Sequence, residues 1–237
     1  QPAWLKVSVP QPRAWRYQLL AGMARLLRQP SMQSVRPHGG AAGIRNEIDR
    51  LTALAAAGLR APQLLDHAEH WLLISDLGHT TLESLIRHAA AEAQLVHWQR
   101  GADYILRTHR AGQYLSQAFA RNLVWSPDQG LGAIDFEDDP IDAMPLVDAQ
   151  IRDWLPYFFS TAIIFKSRLP ALCDAIHAVL AQEDAAVREG VIRAMRRTTW
   201  LRALRWLPRR MQRRDVLKTQ CVGELARLCG QPRSALS

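Results

Sequence analysis

Apolar residues between positions 44 and 57 return at helical spacing, with Ile48, Leu51, Leu54 and Ala55 on one side and Arg45, Glu47, Asp49 and Arg50 mostly on the other. Gly58 suits the end of that helix, and Pro62 prevents its continuation. The same period predicts a helix over 13–28, where Trp15, Leu19, Met23, Leu26 and Leu27 share a face. It predicts another over 82–88, capped by Thr80 or Thr81, and a longer one over 91–110 with Leu95, Trp98, Ala102, Ile105 and Leu106 turned inward. Short apolar runs predict strands at 3–9, 32–36, 64–65 and 70–77, the last continuous enough to be fully buried. Beyond Asp142 the pattern is helical over 148–168, 171–182, 185–206 and 214–229, punctuated by Pro145, Pro156, Pro170 and Pro208.

Between these two regimes lies one hairpin. Asn122 heads the run Leu123-Val124-Trp125, the turn Ser126-Pro127-Asp128-Gln129-Gly130 follows, and Gly132-Ala133-Ile134 leads to Asp135. An amide and a carboxylate at the two ends are oxygen donors of the kind that hold Mg²⁺ carrying substrate phosphates. Taken alone, an isolated Asn and Asp are better read as capping residues of a surface hairpin. The whole reads as an α+β fold: a small mixed portion over 1–77, and a helix-dominated portion over 78–237 that contains the hairpin region 114–140.

With 237 residues and a net charge of +8, the chain is long enough for one large domain or two packed lobes. The charge is local. Positions 188–218 hold eleven Lys/Arg against Glu189 and Asp215, leaving 19 basic and 20 acidic residues elsewhere. A docking surface follows more naturally than a generally nucleic-acid-binding protein. Cys173, Cys221 and Cys229 show no metal-ligand spacing and are read as small apolar helix residues in a reducing, cytoplasmic compartment. The eight histidines offer no H-x-x-x-H or Cys/His pairing, so no zinc site is expected, and His109 is read as a core or turn residue. No secretory leader is visible, and the apolar stretch 154–165, interrupted by Pro156, is too short to span a bilayer.

Several landmarks stand in a familiar order: Glu47 in N-E-x-x-R-L-x-x-L-x-x-x-G-x-x-x-P, then Asp76-Leu77-Gly78 after a buried strand, then L-x-x-H-R-A-G at 106–112, then Asn122 and the I-D-F-E of 134–137. Over 31–156 this series resembles the protein-kinase-like superfamily, especially the bacterial lipopolysaccharide (Kdo/heptose) kinases and RIO-like kinases. The resemblance implies a bilobal fold, with a reduced N-lobe sheet and a mainly helical C-lobe. It also implies ATP and Mg²⁺ as cofactors, and transfer of the γ-phosphate to a lipid-linked sugar or related envelope precursor at the cytoplasmic membrane face. Asp135 resembles the metal-bridging Asp, Asn122 the second metal ligand, and Glu47 the helix Glu that orients a phosphate-binding cation. Asp76 and Leu77 resemble the hinge that receives adenine. Asp148 and Asp153 are expected to brace the catalytic loop from the next helix.

Departures from the pattern leave alternatives open. The general-base position is Gln117, and Gln cannot accept a proton at neutral pH. Glu137, Asp138 and Asp139 are the nearby carboxylates that could replace it. Arg36 stands on the strand expected to carry the phosphate-binding Lys, and Lys6 is the only Lys near the N-terminus. A phosphate-covering G-x-G-x-x-G loop is missing, although Gly39, Gly40 and Gly43 precede a helix start that suits an anion. A pseudokinase that binds nucleotide or partners without turnover is therefore the alternative. In the basic C-terminal helices at 185–229, Trp200, Leu204, Leu207 and Met211 fall at helical spacing. Arg196, Arg197, Trp200, Arg205, Trp206, Arg209 and Arg210 are the candidate contacts to an anionic membrane surface, which implies a peripheral protein on the inner membrane. The plain counter-reading is a packed helix with a solvated Arg face. Nucleic acid is the disfavoured partner.

Overall fold

The strand over 3–9 and the buried run at 70–77 meet as neighbours, and the protein's first sheet is built on that pairing. In the computed structural model, residues 2–8, 40–116, 118–136, 139–206 and 214–230 are described. Strands β1 (Ala3–Val7), β2 (Leu64–Ala68) and β3 (Trp71–Ser75) form an antiparallel sheet in the order β1-β3-β2, with Lys6 opposite Leu72. The central strand is not buried throughout as its composition suggests. Leu72 and Ile74 are buried while Trp71 and Leu73 are half-covered, because helix α1 (Ala41–Ala56) packs on this sheet and an antiparallel sheet commonly hides one face. Helix α1 starts three residues earlier than predicted. It ends as expected, with Gly58 in the left-handed region at φ +68.

The predicted hairpin forms from β5 (Leu123–Ser126) and β6 (Gly130–Ala133), and it gains an unpredicted third strand, β4 (Thr80–Thr81), in the order β4-β5-β6. Thr81 then caps α2 (Leu82–His88) through Ser84 N. Arg60, in the connection after α1, straps this second sheet. Its carbonyl accepts from Ala133 N at 3.1 Å and from the Tyr104 hydroxyl at 2.7 Å, and its guanidinium reaches the Gly130 and Leu77 carbonyls at 3.1 and 3.0 Å.

Helices α3 (Ala91–Arg110), α4 (Leu146–Ala162), α5 (Leu169–Leu180), α6 (Ala185–Thr198) and α7 (Arg214–Gly230) complete the described secondary structure, with short 3₁₀ turns at Ala120–Asn122, Pro140–Asp142 and Thr199–Trp206. Pro156 does not interrupt its segment; it lies inside α4. An interior proline costs about 3 kcal/mol. Pro156 itself is half-buried, while its helix neighbours Trp154, Tyr157 and Phe158 are fully buried, with the Trp154 and Phe158 rings stacked at 5.2 Å. The segment predicted as one helix over 185–206 is α-helical only to Thr198 and continues as a 3₁₀ helix. The α-helical spacing assumed for Trp200 and Leu204 therefore does not apply there. The helix predicted at 13–28 and the strand at 32–36 lie outside the described residues.

One hydrophobic cluster runs from Ile44 in α1 through Trp98, Phe136 and Trp154 to Cys229 in α7. At its far end, α7 lies on the 3₁₀ segment. A Cβ on Gly223 would meet backbone there, including the Leu201 carbonyl carbon at 2.7 Å. Backbone cannot swing aside as a side chain can, so Gly223→Ala is expected to destabilise the protein by about 1–3 kcal/mol in urea titrations. An unchanged midpoint would show that the two segments are not in close contact.

Candidate active site

Glu47 lies on the charged side of α1, a side that by composition should face water. It is instead buried, and Lys6 of β1 donates to Glu47 Oε1 at 2.6 Å across 41 residues of sequence. The Lys6 side chain keeps 32 % of its surface exposed against 4 % for Glu47. The carboxylate thus works from inside, while part of the Lys6 side chain remains in contact with solvent. Sequence reasoning missed Lys6 as the partner. The available signal was its place in the apolar strand Ala3-Trp4-Leu5-Lys6-Val7, where a lone charge needs a partner. Arg36, the residue expected in this role, lies outside the described residues.

One helical turn beyond Glu47, Arg50 is also buried. Its Nη2 donates to the Tyr114 carbonyl at 2.6 Å, its Nη1 to Gln113 Oε1 at 3.2 Å, and its guanidinium lies over the Tyr114 ring. Helix α1 therefore connects the Lys6–Glu47 pair to the loop that leads to Asn122. From the other side, α4 holds the same loop. Asp153 Oδ2 accepts from Leu115 N at 2.6 Å, Arg152 Nε reaches the Ser116 carbonyl at 3.4 Å, Gln150 Nε2 reaches the Gln113 carbonyl at 3.1 Å, and Ser160 Oγ accepts from Ala120 N at 3.2 Å. Asp153 thus braces the loop as expected; Asp148 sits in the first turn of α4.

His109 is part of that bracing. Its Nε2 lies 3.3 Å from Asp153 Oδ2 and its Nδ1 2.6 Å from Glu183 Oε1, which also accepts from Trp154 Nε1 at 2.8 Å. A carboxylate at each ring nitrogen favours the form in which both nitrogens donate. Burial opposes that charge. The hydrogen bonds and negative charges of Asp153 and Glu183 outweigh it and raise the His109 pKa above 6.5.

The loop opens onto the 3₁₀ turn Ala120–Asn122. Asn122 Nδ2 donates to Asp135 Oδ2 at 3.3 Å, and the Asn122 carbonyl accepts from Ile134 N at 2.9 Å, so the hairpin brings its two ends together. Asn122 is buried and Asp135 half-buried, with Phe136 fully enclosed behind it. Among the described residues, two non-glycine positions have left-handed backbones, Asp135 at φ +75 and Ser116 at φ +68. Each such conformation costs on the order of 1–3 kcal/mol and persists only where the surroundings impose it. One is the candidate metal ligand and the other immediately precedes position 117. Among the described residues, Ser116 Oγ and Asp153 Oδ1 are buried there without a hydrogen-bond partner. The amide and carboxylate are hard oxygen donors and fit Mg²⁺.

A scan against protein-family models finds no match, and neither does a search of curated proteins.

The remaining expected residues are spread more widely. Asp76 and Leu77 connect β3 to β4. Asp76 Oδ1 accepts from Gly78 N at 2.9 Å, and this bond, helped by Trp4 and His79 and opposed by burial, lowers the Asp76 pKa. The Leu77 carbonyl already accepts from Arg60. Gln117, Glu137 and Asp138 lie outside the described residues. Asp139 accepts from the Tyr114 hydroxyl and from Ile141 N. Among the basic residues, Arg196, Trp200 and Arg202 join Thr199, Arg227 and Gly230 around an open hollow of about 560 Å³. Trp200 is 46 % exposed, and Arg197 is exposed nearby. The side chains of Arg205, Trp206, Arg209 and Arg210 lie outside the described set. No helix among the described residues is long and apolar enough to cross a membrane.

The structure corrects the expectation for the cysteines. Cys173 and His177 stand one turn apart on α5, and α7 brings Cys229 to them, so that three ligand atoms lie within 4.8 Å of one another. The C-x-x-x-H pair was present in the sequence; its third member was not adjacent.

Proposed function

We propose that this chain is a divergent kinase-fold phosphotransferase. It binds ATP with Mg²⁺ and moves the γ-phosphate to a lipid-linked sugar or related envelope precursor at a membrane surface. The Lys6–Glu47 ion pair carries the reading. A cation on a sheet strand, fixed by a buried helix carboxylate and still open to solvent, is what phosphate positioning requires. Asn122 and Asp135 would hold Mg²⁺, which when bound supplies charge neutralisation for the phosphates. Lys6 would bind a phosphate oxygen while Glu47 keeps it in place. The bracing of 113–120 by Arg50 and α4 would hold the acceptor side of the site rigid.

Thermal-shift measurements with ATP, with and without Mg²⁺, test this directly, since a ligand of the native state raises its melting temperature. The wild-type chain is expected to shift and Lys6→Met to lose most of the ATP-dependent shift. Lys6→Met removes a partner of the buried Glu47 carboxylate, so its circular dichroism is first matched to wild type and the shift is read on folded protein. A full shift in Lys6→Met, or none in the wild type, sinks the proposal.

The residue at position 117 favours a second reading, a nucleotide-binding pseudokinase, because Gln supplies no base. ATP consumption that disappears in Asn122→Ala would eliminate it. For the membrane partner, the support is the exposed Trp200 beside Arg196, Arg202 and Arg227. Each basic residue near an anionic surface contributes about 1 kcal/mol. Trp200→Ala combined with Arg202→Glu is therefore expected to weaken sedimentation with phosphatidylglycerol vesicles by more than tenfold. Equal sedimentation of variant and wild type would rule out this face.

A further inference from the structure

We infer that Cys173, His177 and Cys229 form a binding site for a thiophilic d¹⁰ metal ion of the zinc class, joining α5 to α7. The three donors converge from two helices, with all ligand atoms within 4.8 Å of one another. Cys173 and His177 are four residues apart, the spacing at which a helix presents two side chains on one face. Both cysteines are buried and free, while His177 is half-buried. A soft site enclosed on its sulfur side and reachable by solvent on its imidazole side follows from that arrangement.

Metal binding requires the two sulfurs to move apart. Cys229 Sγ lies 2.7 Å from Cys173 Sγ. Two thiolates on one tetrahedral zinc, with Zn–S of about 2.3 Å, sit about 3.8 Å apart, so the sulfurs need to separate by about 1 Å. A disulfide would make no use of the third donor, and His177 is what distinguishes a metal site from a cysteine pair. Two thiolates and one imidazole select zinc-class ions over Mg²⁺ or Ca²⁺, which take oxygen. Three protein ligands leave one position for water. The site is separate in sequence from Asn122 and Asp135 and does not rest on the phosphotransferase reading. Its consequence is mechanical: α7 packs along the 3₁₀ segment that carries Trp200, so an ion at Cys229 would fix the helix beneath that basic face.

Cobalt titration of the fully reduced full-length chain tests the site, with zinc competition and metal analysis of the protein as purified. One Co²⁺ per chain is expected, with a thiolate-to-cobalt charge-transfer band that zinc abolishes. Cys173→Ser, Cys229→Ser and His177→Ala should each weaken binding by at least a hundredfold, while Cys221→Ser, which changes a cysteine outside the cluster, should bind as wild type. His177→Ala protects the test against misfolding, because the residue is half-buried rather than in the core and its removal leaves the buried sulfurs in place. Three results would overturn the inference: no cobalt band, full affinity in His177→Ala, or recovery of Cys173 and Cys229 as a disulfide from protein kept under reductant.

Discussion

Asp135→Ala is expected to abolish the Mg²⁺-dependent part of nucleotide binding and to lower any phosphotransfer by on the order of a hundredfold or more, as removal of a charge-stabilising group in an enclosed site does. The residue takes a left-handed conformation uncommon outside glycine, at φ +75, between the Asn122 hydrogen bond, the pairing of Ile134 N with the Asn122 carbonyl, and the enclosed Phe136. A structural role alone makes a different forecast. Replacing a strained carboxylate that only caps a hairpin should change stability and leave the effect of Mg²⁺ on ATP binding intact. Isothermal titration with ATP in Mg²⁺ and in EDTA separates the two. If the Mg²⁺ increment survives in Asp135→Ala, the metal assignment fails. Asp135→Asn provides the intermediate case, since it keeps the shape and one oxygen donor but removes the charge.

The second large effect is expected at Asp153. This carboxylate is fully buried, accepts from Leu115 N and faces the imidazolium of His109. Asp153→Ala strands a buried backbone donor and leaves His109 with Glu183 alone. Breaking a buried pair from one side costs about 3–5 kcal/mol, equivalent to a fall on the order of 10 °C in melting temperature for a chain of this size. Asp153→Asn should lose less, because an amide oxygen can still accept from Leu115 N. A melting temperature within a degree or two of wild type for Asp153→Ala would show that the loop is held by other contacts.

The pH dependence of stability follows from the same cluster. The folded pKa of His109 is raised above its unfolded value of about 6.5. Its contribution is therefore complete below about pH 6.5 and is lost as pH rises through the higher folded value. Urea titrations across that window should show stability declining with pH in the wild type, and a flatter profile in His109→Gln.

Much of the local structure was legible along the chain because it depends on near neighbours. The hairpin, its turn and the two polar ends needed no distant residue, and the Gly58 helix end needed only a residue tolerant of positive φ. The order of the chain singled out Glu47, Asn122, Asp135 and Asp153, and the structure gives Glu47 an ion pair, joins Asn122 to Asp135 by a hydrogen bond and sets Asp153 against the loop. Packing outweighed local rule at one place: Glu47 and Arg50 are buried although their side of α1 is charged.

The sequence by itself determined the α+β character, the helix and strand periods of the described elements, and the hairpin with an amide at one end and an acid at the other. Only the tertiary structure chose Lys6 as the partner of Glu47 across 41 residues, set Arg50 between helix and loop, and closed Cys173, His177 and Cys229 into one cluster. The reason is physical. Periodicity and turn chemistry are fixed by residues within a few positions of each other. The partner of a buried charge or thiol is selected by which distant segments the core brings into contact.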